Sequence, residues 1–372
     1  MGGGVGANAN KILKGSNHYL MKQTTYLSTF ISGFGEVIQD AFASNLLRVK
    51  IQRMLDGLVV YQTDATFAQV QQLHCFNNNY LLLNSATCKP EEEVAQVIRR
   101  VFQGANLEKT VAGIGKKNIR SFRIMVSKEN ETVSIDQRTR GIVEETISGR
   151  LGLRLNRSLA DVEFWFIIRS EGVCFLGLRA TATEGQRKSK YAKGELRREL
   201  AYLLCLISEP AKTDVVLDPF CGSGAIPLER ERSFPFQKIV ASDSDRKSVT
   251  TVQTAVRKSK SKIEVHQWDA LQLRSLSTSS ITKIITDPPW GYFQQEDLDF
   301  ENFYHKMLVE FSRILVNHGL AVVLTAKKVE FEKSVTLVSD FQLRAKHDIL
   351  VSGKKAAVYK LQKRSSALEM VK

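Results

Sequence analysis

Hydrophobic residues in the second half of the chain occur in short runs separated by longer amphipathic stretches. The runs lie at residues 215–217, 239–241, 263–266, 284–286 and 321–324. Continuous apolar runs that alternate with helical spacers are typical of strands buried on both faces of a parallel sheet. Two further runs, 341–351 and 356–361, flank Ser352-Gly353-Lys354-Lys355 and predict an antiparallel hairpin at one sheet edge. The pattern predicts a mostly parallel, seven-stranded, doubly wound α/β domain.

The first half of the chain contains two shorter series of predicted strands and helices. Strand-like runs at 26–31, 49–52, 58–61 and 80–83 alternate with helical runs at 36–43 and 67–73. A second series then begins, in which Lys89-Pro90-Glu91-Glu92-Glu93 predicts the start of a helix that runs to about residue 102. It continues with a strand at 122–126, a helix at 135–150 and a hairpin of 164–169 with 173–179. Each series predicts a small α+β unit.

The amino-acid composition indicates a globular protein with an excess of basic residues. The chain has 372 residues, of which 43% are hydrophobic and 25% charged, so disorder as the main state is excluded. Lys and Arg number 53 against 39 Asp and Glu, which leaves a net charge of +14. Such an excess favours polyanionic partners, either nucleic acid or an anionic membrane surface.

The spacing of the cysteines and the hydropathy of the chain indicate in which cellular compartment the protein is expected. The five cysteines are scattered without a Cys-x-x-Cys pair, which favours a reducing, cytoplasmic location without a zinc site: Cys75, Cys88, Cys174, Cys205 and Cys221. No stretch approaches the ~20 apolar residues of a membrane span. Residues 1–20 are rich in glycine near their start and lack the apolar region of a signal peptide, so we expect a disordered leader.

A glycine-rich turn follows the first strand of the α/β domain, in the sequence Asp218-Pro219-Phe220-Cys221-Gly222-Ser223-Gly224. A buried strand that ends before such a turn lets the backbone approach a nucleotide-like ligand. The turn lacks both Gly-x-Gly-x-x-Gly and the Lys-Ser/Thr of a P-loop, so pyrophosphate binding is not indicated. The alternative interpretation is an ordinary βα turn.

Acidic residues also end the next two strands. Asp243 is placed to accept hydrogen bonds from two ribose hydroxyls, whereas Asp245 is expected to cap the helix over residues 246–258. Trp268 and Asp269 follow the third strand, where they can cover an adenine ring and accept from its amino group. A core tryptophan and a helix cap are the alternative interpretations of these two residues.

The fourth strand ends in Asp287-Pro288-Pro289-Trp290. Two prolines fix φ and remove two backbone donors, so the carbonyls here project rigidly. The Asp287 carboxylate and one of these carbonyls can accept the two hydrogens of an exocyclic amine, while Trp290 stacks on its base. These four residues form the predicted catalytic group; a rigid turn with a buried tryptophan is the alternative.

Together these motifs resemble those of class I S-adenosylmethionine methyltransferases that modify exocyclic amines. Residues 220–224 are similar to their cofactor loop, and residues 287–290 to their Asp/Asn-Pro-Pro-Tyr/Phe/Trp motif. The resemblance covers residues 195–363 and implies a Rossmann-like class I methyltransferase domain that binds S-adenosyl-L-methionine, with no metal. The implied cofactor-binding residues are Asp218, Phe220, Cys221, Gly222, Ser223, Gly224, Asp243, Trp268, Asp269 and Asp287.

The segment before this domain resembles the THUMP RNA-binding domain in its strands at residues 164–168 and 173–179. Residues 21–88 are similar to the ferredoxin-like domain that precedes THUMP. This order resembles the THUMP-containing RNA guanine-N2 methyltransferases, which act mainly on tRNA and, in some members, on ribosomal or small nuclear RNA. It implies a THUMP domain at 89–182, a basic linker at 183–194 and a tail at 364–372.

Two clusters of basic residues are candidate RNA contacts, since Lys and Arg side chains neutralise phosphates without reading sequence. The candidates are Lys116, Lys117, Arg120, Arg187, Lys188, Lys190 and Lys193. The second cluster stands where family members carry an arginine-rich Gly-Tyr-Arg element. The alternative interpretation is a solvated basic face.

We therefore expect methyl transfer to an exocyclic amine of structured RNA, with guanine N2 in tRNA as the substrate. The alternatives are an rRNA or snRNA guanine-N2 methyltransferase, a DNA adenine-N6 methyltransferase, and a non-catalytic RNA-binding protein with a methyltransferase fold. Cysteine-dependent methylation of pyrimidines is disfavoured, because no Cys follows the Pro-Pro pair. A small activating protein partner is compatible with the sequence, and the oligomeric state is not indicated.

Overall fold

Two β-sheets, one in each half of the chain, organise the molecule. They are seen in a computed structural model that describes residues 23–45, 48–107, 114, 119–180, 195–291, 298–351 and 353–365. The predicted leader at 1–20 lies outside the described residues, as does the predicted linker at 183–194.

The amino-terminal sheet contains strands from both predicted α+β units. Its strands are β1 Thr24–Thr29, β2 Val49–Leu55, β3 Leu58–Thr63, β4 Asn78–Thr87, β5 Ser121–Lys128, β6 Glu131–Thr132, β7 Arg154–Leu155, β8 Val162–Arg169 and β9 Val173–Ala180. The helices between them are α1 Gly35–Ser44, α2 Phe67–Val70, α3 Val94–Gln103 and α4 Gln137–Leu151. The strand order is β2-β3-β1-β4-β9-β8-β5-β6, with β7 paired to β5.

One antiparallel pairing joins the two units into this single sheet. Strand β4 of the first unit pairs with β9 of the second, from Leu81 opposite Leu178 to Thr87 opposite Val173. The backbone of Cys88 continues the contact, since its N–H donates to the carbonyl of Gly172 at 2.9 Å. The two units therefore share a backbone hydrogen-bond network.

The carboxyl-terminal sheet has seven strands and is flanked by helices. Its elements are α5 Arg198–Ile207, β10 Val215–Asp218, α6 Ala225–Ser233, β11 Lys238–Asp243, α7 Arg246–Ser259, β12 Glu264–Gln267, β13 Ile281–Thr286, α8 Phe300–Ile314, β14 Leu315–Thr325, α9 Lys328–Leu337, β15 Phe341–Val351 and β16 Lys354–Lys363. The order is β12-β11-β10-β13-β14-β16-β15, in which the pairs of β16 are antiparallel and the others parallel. The predicted parallel sheet with an antiparallel carboxyl-terminal hairpin is confirmed.

The order of the strands reverses at β10. From β10 the chain proceeds to β11 and β12 on one side, and it then crosses to β13 on the other side. Ligands of open α/β sheets bind above the carboxyl ends of the strands at such a switch point. The glycine-rich turn and the Asp-Pro-Pro-Trp turn therefore lie at the edge where a ligand is expected.

Several element boundaries differ from the sequence prediction by three residues or more, and two of these differences have a clear cause. Helix α3 begins at Val94 rather than near Pro90, because Glu92 is engaged elsewhere: its carboxylate accepts from the N–H of Lys89 and pairs with Arg100. Strand β14 begins at Leu315, six residues before the predicted run, and the polar residues at 317–318 had hidden this first part.

The amino-terminal sheet and its helices, here called the amino-terminal module, pack on the carboxyl-terminal domain beside α5, α6 and the edge strand β15. Asn45 donates to the hydroxyl of Tyr202 at 3.1 Å, and the Phe34 ring lies 5.7 Å from that of His347. Buried residues from both parts of the chain form one hydrophobic cluster that includes Phe42 and Leu203. The module is therefore docked through packed side chains.

A buried carboxylate also joins the two parts. Glu229 on α6 is 2% exposed and lies 2.7 Å from Nδ1 of His74. Its other oxygen accepts from Nε of Arg198 at 2.8 Å, and the hydroxyl of Ser233 donates to Oε1. Burial opposes ionisation, but these hydrogen bonds hold the pKa of Glu229 below its usual value. We call this group the Glu229 junction.

Membrane insertion through a helix has no support in the described ranges, where none of the helices combines sufficient length and apolar character.

Candidate active site

The glycine-rich turn links the end of β10 to the start of α6. Gly222 and Gly224 have positive φ values of +49° and +87°, which glycine adopts without strain. A Cβ on Gly224 would lie 3.1 Å from Cγ2 of Val252 on α7, whereas one on Gly222 would meet no atom within 4 Å. Gly224 thus lets the turn pack against α7, and Gly222 leaves open space beside the backbone.

Asp218 lies beneath this turn. It is 1% exposed, and its Oδ1 accepts from the hydroxyl of Thr286 at 2.8 Å and from the N–H of Phe220 at 3.2 Å. Burial raises the pKa of Asp218 to about 8; the two hydrogen bonds oppose the rise, and the charges of Asp243 and Asp287 add to it. Asp218 therefore holds the turn against strand β13 from below.

The side chain of Asp243 organises the turn from the neighbouring strand. Its Oδ2 accepts from the N–H of Gly222, and its Oδ1 accepts from the N–H of Asp245, both at 2.9 Å. The residue is partly exposed, so lone pairs of both oxygens remain for hydroxyl donors. Asp245 caps α7 by accepting from the N–H of Ser248, as its sequence position predicted.

Trp268 and Asp269 follow the end of β12. The Trp268 ring stacks on His266, with ring centroids 4.2 Å apart and an interplanar angle of 3°. Asp269 is exposed, and its Oδ1 accepts from the N–H of Leu271. The indole is partly buried and the carboxylate keeps one oxygen toward solvent, an arrangement compatible with both the adenine-binding and the structural interpretation.

The Asp-Pro-Pro-Trp turn provides the third carboxyl group at this edge. Asp287 is partly exposed, yet its Oδ1 is buried and has no hydrogen-bond partner in the described part of the chain. Burial raises the pKa of Asp287 to about 7, and the Trp290 side chain opposes that rise. Pro288 is buried, whereas Pro289 and Trp290 are partly exposed. A buried acceptor without a donor is a position where a ligand amine would fit.

The remaining residues of the cofactor turn have mainly structural contacts. Cys221 is buried, its N–H donates to the carbonyl of Ser242 at 2.9 Å, and burial raises the pKa of its thiol. Phe220 packs against Phe303 of α8, with ring centroids 5.8 Å apart. Ser223 is partly exposed on the turn. Their predicted role in cofactor binding stays a prediction.

These atoms fit a nucleoside cofactor that carries a sulfonium charge. The carboxylate of Asp243 at the end of β11 and, when ionised, that of Asp287 at the end of β13 give the pocket a negative field that favours a cation. The open space at Gly222 leaves room for a ligand against the turn. In the described ranges, no three side chains are grouped as metal ligands.

Two residues of this site were missed by sequence reasoning. Thr286 precedes Asp287 on β13 and ties that strand to Asp218. His266 stands two residues before Trp268, a spacing that places both side chains on one face of a strand. The period-two spacing was a signal for His266, whereas the Thr286 contact depends on a pairing of strands that sequence does not display.

Of the seven predicted RNA-binding residues, Arg120 lies in the described part of the chain. Arg120 is exposed in the segment before β5, where its N–H donates to the carboxylate of Asp161. The others lie outside the described residues: Lys116, Lys117, Arg187, Lys188, Lys190 and Lys193.

Comparison with known proteins supports the α/β fold of the chain and a methyltransferase domain in its carboxyl-terminal half. Residues 185–356 match the family described as UPF0020, RMKL-like, methyltransferase domain. The chain is similar in fold to the crystal structure of TrmN from Thermus thermophilus, with a TM-score of 0.73, 21% identity and coverage of 92% of this chain and 100% of that one. The expected Rossmann-like methyltransferase domain behind an α+β module is confirmed.

Two curated relatives match parts of the chain. The tRNA (guanine(6)-N(2))-methyltransferase THUMP3 of Mus musculus is 30% identical over 56% of this chain and 44% of its own length. The U6 snRNA (guanine-N(2))-methyltransferase THUMPD2 of Bos taurus is 30% identical over 36% of this chain and 26% of its own length. The chain thus spans less than half the length of either relative.

Proposed function

We propose that the chain is an S-adenosylmethionine-dependent RNA methyltransferase that methylates guanine N2, with tRNA as its substrate. The observation that carries the proposal is the buried, unpartnered Oδ1 of Asp287 beside Trp290, at the strand edge that also holds Asp218, Asp243 and the glycine-rich turn. The names of the relatives, which specify guanine N2 in tRNA and in U6 snRNA, support this choice of nucleophile.

The residues divide into two groups. Gly222, Asp243, Trp268 and Asp269 would hold the nucleoside part of S-adenosylmethionine, whose sulfonium supplies an electrophilic methyl group when bound. Asp287 and the carbonyls of the Pro-Pro turn would accept the two hydrogens of the exocyclic amine. Trp290 would stack on the base that has left its helix, offsetting part of the cost of unstacking.

The chemistry of the amine explains why a carboxyl group is placed here. The lone pair of an aryl amine is delocalised, so orientation of the nitrogen contributes much of the rate. As the new bond forms, the nitrogen gains positive charge, which ionised Asp287 stabilises at short range. Because the pKa of Asp287 is raised to about 7, the same carboxylate can take up the proton that the amine loses.

We also propose a cytoplasmic location. All five cysteines are free thiols, which fits a reducing compartment.

The proposal is tested by incubating the purified chain with labelled S-adenosylmethionine and, separately, with total tRNA, small nuclear RNA, ribosomal RNA and DNA. Each reaction is run with and without a cell extract that supplies protein partners. Chromatography of the digested product should find N2-methylguanosine in the tRNA reaction. Label in DNA adenine, or cofactor binding with no transfer to any nucleic acid, would overturn the proposal.

A further inference from the structure

Helix α7 carries an unusually one-sided charge. The segment from Arg246 to Lys262 contains six basic residues and no acid: Arg246, Lys247, Arg257, Lys258, Lys260 and Lys262. All six are exposed, and within the described ranges none of them forms an ion pair. We call this surface the α7 basic face.

Several other basic residues of the catalytic domain are neutralised by acidic partners. Lys328 pairs with Asp348 at 2.9 Å, Lys346 with Glu332 at 2.8 Å, and Arg313 with Glu310 at 2.7 Å. These pairs belong to α8, α9 and β15, on the far side of the sheet order from β12. The α7 basic face differs from these residues because its six cations have no acidic partner in the described ranges.

The helix begins beside the active site and runs toward the opposite edge of the sheet. Its buried residues Val249 and Val252 pack inward, and Val252 contacts the position of Gly224 in the cofactor turn. Its cap, Asp245, is bonded to Asp243. The hydroxyls of Thr250, Thr251 and Thr254 bond back to helix carbonyls, so the outward face is dominated by cations. With 14 residues the helix is about 21 Å long, enough to face several phosphates.

We infer that the α7 basic face binds the phosphate backbone of the RNA substrate along a path that begins beside the active site; this inference rests on the proposed function. The carboxylates of Asp243 and, when ionised, Asp287 repel a phosphate chain that approaches the pocket. Arg246 and Lys247 at the start of α7 lie nearest these carboxylates and offset that repulsion, and the other four cations extend the positive surface to the far end of the helix, where they hold the backbone without reading its sequence.

The amino-terminal module contacts α5 through Asn45 and α6 through His74. Glu231 of α6 accepts from the N–H of Lys262 at the end of the α7 basic face. RNA held by the module can therefore continue onto this face.

The test compares two triple variants of the full chain that lower its net charge equally. The first carries Lys247→Gln, Arg257→Gln and Lys258→Gln on the α7 basic face. The control carries Lys328→Gln, Lys333→Gln and Lys346→Gln, whose cations are paired with acids. For each, titration calorimetry gives the affinity for S-adenosylhomocysteine, and fluorescence anisotropy gives the affinity for total tRNA as a function of salt.

We expect the first variant to bind RNA about 10- to 100-fold more weakly, with a salt slope lower by about two to three, because each lost phosphate contact removes roughly one unit. Its affinity for S-adenosylhomocysteine should match that of the wild type. The control should keep the RNA affinity within about threefold.

Equal RNA affinities and slopes in both variants, with a wild type that methylates RNA, would overturn this inference and leave the proposed function intact. A wild type that methylates no RNA would instead remove the proposed function. Loss of binding to phosphatidylserine vesicles in the first variant, with RNA binding retained, would assign the face to a membrane surface and also overturn the inference.

Discussion

The hydroxyl of Thr286 on β13 donates a 2.8 Å hydrogen bond to Oδ1 of Asp218 on β10, which links the strand below the cofactor turn to the strand that carries Asp287. Both side chains are buried. One hydrogen bond thus holds together the two strand ends between which methyl donor and acceptor would meet.

Thr286→Val should remove this donor while preserving the shape of the side chain. A buried acceptor that loses one partner costs about 1–3 kcal/mol, so the free energy of unfolding should fall by that amount. Chemical denaturation measures the change. Thr286→Ser keeps a hydroxyl and should recover most of the loss; if Ser and Val variants are equally stable, the hydrogen bond is not what stabilises this position.

Asp287→Ala should slow methyl transfer by roughly 100-fold or more, because a preorganised charge beside the reacting nitrogen is lost. Cofactor affinity should change little. The rate is measured in single turnover with RNA in excess, and Trp290→Phe serves as a comparison that keeps an aromatic face and much of the activity. A near wild-type rate for Asp287→Ala would contradict the assigned role.

Asp218→Asn should alter the dependence of stability on pH. In the folded protein the pKa of Asp218 is raised to about 8, so its carboxyl group keeps a proton up to about that pH. In the unfolded chain the same group ionises near the ordinary pKa of an aspartate. The folded state thus binds more protons in this window, and stability falls as pH rises through it. The amide oxygen can still accept from Thr286 and Phe220, so the variant should lose stability less steeply between pH 5 and pH 8. Parallel pH profiles of unfolding free energy for both proteins would show that Asp218 is not protonated.

Gly224→Ala should destabilise the fold more than Gly222→Ala. Both substitutions place a side chain at positive φ, which costs about 1–2 kcal/mol. Only the Gly224 variant also presses a methyl group against Val252. Thermal unfolding should separate the two, whereas calorimetry should find weakened cofactor binding for Gly222→Ala as well. Equal melting temperatures would argue against close packing of the turn on α7.

Glu229→Ala should weaken the attachment of the amino-terminal module. The substitution leaves the half-exposed Arg198 and the partly buried His74 without their shared acceptor. Loss of one partner from a buried charged group costs about 3–5 kcal/mol, reduced here because Arg198 reaches solvent. Limited proteolysis should show faster cleavage between the module and the catalytic domain. Arg232→Ala, whose guanidinium lies 3.7 Å from Glu229, is the matched control and should change little.

Local patterns predicted the strands well because a buried strand needs apolar residues wherever it lies. The acids at the strand ends were also predicted, since Asp243 and Asp287 follow apolar runs directly in sequence. Contacts between distant residues had no such signal: His74 and Glu229 are 155 positions apart, and nothing in either segment points to the other. Roles in RNA binding remain predictions, because most of the proposed lysines and arginines lie outside the described residues.

The pairing of β4 with β9 has a practical consequence for dissecting this protein. A cut after residue 88, at the boundary that sequence similarity implies, would break six registered pairs and leave one edge of β4 and one edge of β9 unpaired. Unpaired edges of this kind recruit other chains, so both fragments should self-associate during expression. A fragment that ends after Ala180 keeps every strand of this sheet with its neighbours. Soluble pieces for RNA-binding studies should therefore end there and include both amino-terminal units.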